Sequence, residues 1–277
     1  ALTKPKVTGG DDFVKGEVPD IKATGTVTNV SEGEVTNTIT YTTSDKFNPN
    51  NYTINKSEGT LYITPVTDKV TVKITGHSEK VKYDGSEHTV TGYDVSIDNK
   101  LYKESDFSFS GDATATGKDA KDSYMMGLKS EQFENISGNF TSVEFIIVED
   151  GKLTIEQRKV TLTSASDKKV YDSTALTNGT VTVGGEKFAD GEGATCNVTG
   201  SQTNVGSSDN TFTYTLNKGT NKDNYIIETE EGTLEVTPVT AKVTVTIKGG
   251  TDSKMYDGTV HTVRGYEVES ISNTLYT

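Results

Sequence analysis

Hydrophobic and polar residues alternate strictly over short stretches of this chain. Val70, Val72 and Ile74 point one way while Thr71, Lys73 and Thr75 point the other, the period-two signature of a strand with one covered face. Val243, Val245 and Ile247 repeat it, and Leu61/Ile63, Leu153/Ile155 and Leu234/Val236 mark closing strands, each introduced by Gly-Thr or Gly-Lys. Asp150-Gly151 predicts a hairpin turn joining residues 143–148 to 152–155. Threonine and valine raise β-propensity throughout. Helix formers gather only around residues 128–133, where Leu128, Phe133 and Ile136 would share one face for one or two turns. The expected fold is all-β and mostly antiparallel, with at most one short helix in a module.

The same strings return at a long, fixed spacing. Gly59-Thr60-Leu61-Tyr62-Ile63-Thr64-Pro65 reappears as Gly232-Thr233-Leu234-Glu235-Val236-Thr237-Pro238, 173 residues later. Tyr83-Asp84-Gly85 returns as Tyr256-Asp257-Gly258 at that spacing, His88 as His261, and Asn51-Tyr52 as Asn224-Tyr225. A shorter echo lies inside the period, where Tyr171-Asp172-Ser173 imitates the Tyr-Asp-Gly element. One period therefore holds two related modules, A (67–157) and B (158–239), flanked by a partial B (1–66) and a partial A (240–277). Ala1-Leu2-Thr3 aligns with Ala175-Leu176-Thr177, so the first B is expected to lack its opening strand. Residues 242–259 resemble that strand, which would allow strand donation between chains. The links between modules are only a few residues long, which favours an elongated, semi-rigid string.

Composition narrows the chemistry. The 277 residues carry 27 basic and 40 acidic side chains, a net charge of −13, with 31% apolar residues and no tryptophan. Scattered lysines in an acidic chain do not make the clustered basic face that nucleic acid requires. The longest apolar run, residues 145–148, is far short of the roughly 20 needed to cross a bilayer. Cys196 is alone, so no intrachain disulfide forms. Nothing at the start reads as a signal peptide, and an internal piece of a longer protein is expected.

The Tyr-Asp-Gly signature at Tyr83, Asp84 and Gly85, at Tyr171 and Asp172, and at Tyr256, Asp257 and Gly258 has two readings. It would serve as a ligand lip, or as a structural turn in which Asp caps backbone amides and Tyr packs on the core. Recurrence at a fixed place in successive modules favours the turn. His77, His88 and His261 supply no catalytic or metal constellation, and no nucleophile elbow, phosphate loop or His-Glu-x-x-His pair is present. No catalytic residue, metal or cofactor is expected. The acidic stretches Gly10-Asp11-Asp12, Glu149-Asp150 and 228–231 lack the alternating ligands of a calcium loop. A Lys-Asn isopeptide crosslink would need a buried lysine, whereas Lys69 and Lys242 open strands.

The string Val-Thr-Val-x-Ile-Thr-Gly, then Lys-x-Tyr-Asp-Gly and a closing Gly-Thr-Leu-x-Val-Thr-Pro, resembles the tandem MBG and Tyr-Asp-Gly (YDG) repeat domains of large bacterial cell-surface, adhesin-like proteins. The resemblance spans nearly the whole chain, although Ser173 departs from the pattern. It implies mostly β, in part β-grasp-like, domains strung into a stalk on the cell wall, outside the cell. It further implies a non-catalytic spacer that touches its neighbouring repeats and leaves host glycan or host protein to a tip domain elsewhere. The competing expectation is a glycan-binding or host-protein-binding module using Tyr62, Tyr93, Tyr102 and Tyr266 as exposed platforms.

Overall fold

The computed structural model describes residues 10–18 and 20–276, so Ala1-Leu2-Thr3 lies outside the described residues. The described chain is all-β, with 24 strands and five single 3-10 turns. The longest strands have seven residues. The turn at Ser130–Gln132 stands where a short helix was expected. Leu128 and Phe133 are buried there but Ile136 is exposed, because the chain enters the strand Phe133–Asn135 and the helical face never forms. Two compact units divide the chain. One comprises Ala1–Glu79, Thr89–Thr116 and Ser123–Leu153; the other comprises Lys80–His88, Gly117–Asp122 and Thr154–Thr277.

The first unit is organised around Val70–Gly76. Every second residue of this strand is buried, and it lies between Val143–Glu149, which runs parallel, and Tyr93–Ile97, which runs antiparallel. Aromatic side chains fill the adjoining core: Phe133 stacks on Phe109 (4.6 Å) and Phe145 (5.7 Å), and Tyr102 meets Phe140 edge-on at 5.0 Å. The Tyr102 hydroxyl lies 3.1 Å from the Asp106 carbonyl oxygen and 3.0 Å from Asn135 Oδ1. The preceding segment adds two antiparallel pairs, Asp20–Ala23 with Ile39–Thr42 and Val35–Asn37 with Gly59–Leu61. It is tied on by the Val30 amide, which donates to Asn139 Oδ1 at 2.8 Å, and by the bridge between Val66 and Phe140.

The hairpin expected at Asp150-Gly151 does not form. Val143–Glu149 pairs with Val70–Gly76, while Lys152–Glu156 lies in another sheet, between Lys121–Met125 and Glu79–Lys82. The two backbones touch at this corner: a Cβ on Gly76 would stand 2.2 Å from the Gly151 nitrogen, so only glycine lets them pass. Asp150 points elsewhere, its carboxylate accepting from the amides of Gly127 and Leu128, both at 3.0 Å.

The second unit repeats that plan. Arg158–Ser164 lies between Val181–Gly185, antiparallel, and Tyr225–Glu230, parallel. Past a corner, Asp167–Val170 runs parallel to Thr233–Thr237, whose other neighbour is Gly206–Asp209. The register is continuous through the corner: Lys159 faces Ile226 before it and Asp167 faces Leu234 after it, in each case 67 positions on. A Cβ on Gly232 would strike the Ala165 backbone. Buried Ser164 donates through Oγ to the Asn210 carbonyl at 2.7 Å and accepts from the Gly232 amide at 2.9 Å, which ties the two runs together at the corner. Val160, Leu162, Leu234 and Val236 form its apolar interior.

Val245–Gly249 and Tyr266–Ile271 pair antiparallel as a two-stranded sheet. Ile247 faces Val268 there as Ile74 faces Val95 in the earlier copy, yet the side chains of Val245–Gly249 are exposed.

Candidate functional site

Module A residues 80–88 and 117–122 pack inside the second unit, against module B. Tyr83 is their anchor, only 2% exposed. Its ring meets Tyr225 edge-on at 5.5 Å, and Phe188 packs on Tyr225 at 5.0 Å. Both phenols donate to the carboxylate of Glu192, Tyr83 to Oε1 and Tyr225 to Oε2, the latter at 2.8 Å. The Tyr225 oxygen also accepts from the Ala189 amide at 3.0 Å. Burial, and after it the Glu192 contact, hold the Tyr83 phenol far above the ordinary tyrosine value, and burial pushes Tyr225 up to about 12. Both rings therefore remain neutral donors at physiological pH.

Further contacts close the joint. Buried Asn224 accepts from the Ala120 amide at 2.7 Å and donates to Asp119 Oδ1 at 2.9 Å. The Arg158 guanidinium donates to the carbonyls of Tyr83 at 3.3 Å and Glu186 at 2.8 Å. Gly85, at φ +84, brings its backbone so close that an added Cβ would lie 3.5 Å from the Ala189 Cβ. Beside these contacts lies an open groove of about 600 Å³, where Lys80 pairs with Glu156 and Lys82 stands 3.6 Å from Glu186.

The three Tyr-Asp elements share one turn. Asp84 Oδ1 accepts from the Ser86 amide at 2.8 Å, Asp172 Oδ1 from Thr174 at 2.9 Å, and Asp257 Oδ1 from Thr259 at 2.9 Å. The next residue is left-handed in each, at φ +84 for Gly85, +67 for Ser173 and +75 for Gly258. The carboxyls sit below their usual range: Asp84 through the Ser86 amide and then His88, Asp172 through Lys169 and then Thr174, Asp257 through Lys254 and then Thr259. The tyrosines diverge. Tyr83 is in the joint, Tyr171 packs half-buried on Leu176, Leu234 and Val236, and Tyr256 is 95% exposed.

The remaining candidates are dispersed. His77 stands 3.2 Å from Asp94, His88 3.0 Å from Asp84 and His261 3.4 Å from Asp252. His88 opens the strand His88–Thr91, whereas His261 lies outside any strand. Among the described residues, no three metal-ligating side chains gather. Lys69 pairs with Glu144 on the exposed side of its sheet at 2.7 Å. The four tyrosines proposed as sugar platforms do not share a character: Tyr102 is buried, Tyr93 packs edge-on against both Phe109 and Phe133, and only Tyr62 and Tyr266 are exposed. No described helix is long and apolar enough to cross a membrane.

Glu192 and Phe188 are absent from the expected site, although a signal existed. Phe13 and Glu17 have the same spacing as Phe188 and Glu192, but at an offset of 175 instead of 173, so the long period conceals them. Tyr52 then repeats the chemistry of Tyr225, donating to Glu17, accepting from the Val14 amide at 3.0 Å and packing on Phe13 at 5.2 Å. The fold is all-β, and its second unit is held by a buried tyrosine-carboxylate contact. Compared with protein-family models, with curated proteins and with solved structures, the chain matches none.

Proposed function

We propose that the chain is a non-catalytic spacer segment of a secreted, cell-wall-attached bacterial surface protein of the adhesin kind, transmitting tension along its repeats. Host glycan or host protein would be engaged by a tip domain elsewhere in that protein. The observation that carries this reading is the direction of the ladders. Module B enters through Arg158–Ser164 and Asp167–Val170 and leaves through Tyr225–Glu230 and Thr233–Thr237, and the entering run pairs parallel with the leaving run at one register, Arg158–Ser164 with Tyr225–Glu230 and Asp167–Val170 with Thr233–Thr237. Tension on the two ends of such a module loads the hydrogen bonds of this parallel ladder together, in shear. Module A has the same parallel pairing between Val70–Gly76 and Val143–Glu149.

Single-molecule force spectroscopy tests this. Pulling across residues 158–239 is expected to open them in one event, releasing roughly 270 Å of chain at about 3.3 Å per residue. Pulling the same protein through Arg158 and Glu186, beside the antiparallel ladder, peels bonds singly and is expected to need less force. Equal forces in the two geometries, or gradual opening in the first, would count against a tension-bearing role.

A further inference from the structure

Asn178-Gly179 is the only Asn-Gly pair in the sequence, and it lies inside module B, between the strands Asp167–Val170 and Val181–Gly185. Glycine after asparagine leaves the backbone nitrogen unshielded by a side chain. Here that nitrogen is also unengaged: the Gly179 amide donates to no acceptor among the described residues, and a Cβ built on Gly179 meets nothing within 4 Å. The Asn178 carboxamide is held instead. Its Oδ1 accepts from the Thr180 amide at 3.0 Å, which folds the side chain back across the peptide bond to Gly179, and its Nδ2 donates to Asp167 Oδ2 at 3.2 Å. Asn99, Asn135 and Asn221 make the same bond to the amide two residues on, at 2.9, 3.1 and 3.1 Å, but they are followed by Lys100, Ile136 and Lys222. The first B copy has Lys4-Pro5 in place of Asn178-Gly179.

We propose that Asn178 is a self-modification site, at which the folded chain converts asparagine to isoaspartate without an enzyme, and that the conversion loosens module B. The Gly179 nitrogen, its proton lost to hydroxide, attacks Asn178 Cγ. The N–Cγ bond forms, charge gathers on Oδ1 where the Thr180 amide already donates, and the Cγ–Nδ2 bond breaks. Nδ2 takes a proton from water and leaves as ammonia, closing a five-membered imide. Water then adds to one imide carbonyl: one opening gives aspartate, the other gives isoaspartate, whose backbone runs through the side-chain carbon and is one carbon longer. The corner of module B depends on the original geometry. The Asn178 carbonyl accepts from Asn210 Nδ2 at 2.9 Å, and Asn210 is fully buried, with the Ala165 carbonyl as the other acceptor and no partner for its Oδ1 among the described residues. A longer backbone draws the Asn178 carbonyl off that amide, and a new carboxylate faces Asp167 where a donor stood, like charge against like. This holds for module B whether or not the chain carries tension.

Ageing of the whole chain tests this. The unsubstituted protein and Gly179→Ala are incubated folded at mildly alkaline pH, and peptic digests are followed by mass spectrometry, with isoaspartate told from aspartate by electron-transfer fragmentation. Alanine fits at position 179, because no atom stands near its Cβ and the backbone there is not left-handed. The expected result is progressive replacement of the Asn178 amide by acid, mostly as isoaspartate, with Asn99, Asn135 and Asn221 intact and with Gly179→Ala keeping its amide. The aged protein then has a lower urea midpoint than the fresh one for the amide resonances of residues 158–239, whereas aged Gly179→Ala keeps its midpoint. Persistence of the Asn178 amide in the folded chain, over a time in which the urea-unfolded chain converts it, overturns the proposal. Equal conversion at the other three asparagines, or a converted protein with an unchanged midpoint, overturns it as well.

Discussion

Two stretches of this chain have nearly the same sequence and different environments. Val70–Gly76 and Val245–Gly249 both pair with a strand that begins at a tyrosine following glycine, and Ile74 against Val95 matches Ile247 against Val268. Ile74 is fully buried and Ile247 is 58% exposed. The difference lies on the other edge. Val70–Gly76 has Val143–Glu149 as a second neighbour and an aromatic cluster against its face, whereas Val245–Gly249 has a single partner among the described residues. Local sequence thus decides which strands pair and in what register, while burial is decided by residues about 70 positions away. A two-stranded pair without a covered face gains little from its apolar side chains.

That comparison can be broken by substitution. The largest contrast is expected between Tyr83→Ala and Tyr256→Ala: the first empties the joint and should cost about 3–5 kcal/mol, the second should stay within about 0.5 kcal/mol. Urea titration followed through resolved amide resonances of each copy reads both, and equal losses would mean that the C-terminal turn is also packed. Next comes Ile74→Ala, expected to cost about 2–5 kcal/mol through the cavity that it leaves, against near neutrality for Ile247→Ala. The smallest effect separates His77 from Gly250, which stands at the equivalent position. Asp94, and then the Thr91 carbonyl, raise the His77 imidazole above its ordinary value. Its contribution is therefore complete below about pH 6.5 and is lost as the pH rises through the higher folded value. An NMR titration should place the His77 midpoint above that of an unfolded-chain histidine, and His77→Gly should abolish this pH dependence in the first copy.

Much of the fold is legible in the sequence because its strands carry strict alternation. The buried positions Val70, Val72, Ile74, Leu234 and Val236 follow from period two alone, and the shared turns follow from Asp ahead of a left-handed residue. Asp150-Gly151 misleads for a physical reason: an Asp-Gly pair between two strands suits a hairpin and a sheet corner equally, and the choice depends on Gly76, distant in sequence. The joint is less legible still. Glu192 sits in a glycine-rich loop, and its phenol donor Tyr83 lies 109 residues earlier. Tyr83 and Tyr256 share the Tyr-Asp-Gly signature and the histidine that follows it, and that signature does not distinguish the buried ring from the exposed one.

The corner in the second unit has a consequence for survival among proteases. Two backbone runs, not one, pass from the first sheet to the second, side by side at Ser164 and Gly232. A nick in either run leaves its two sheets tethered by the other, with Ser164 and Asn210 still bridging the cut. A single nick at the corner therefore leaves the two sheets of module B joined, both by the facing run and by the further chain connections that pass between them.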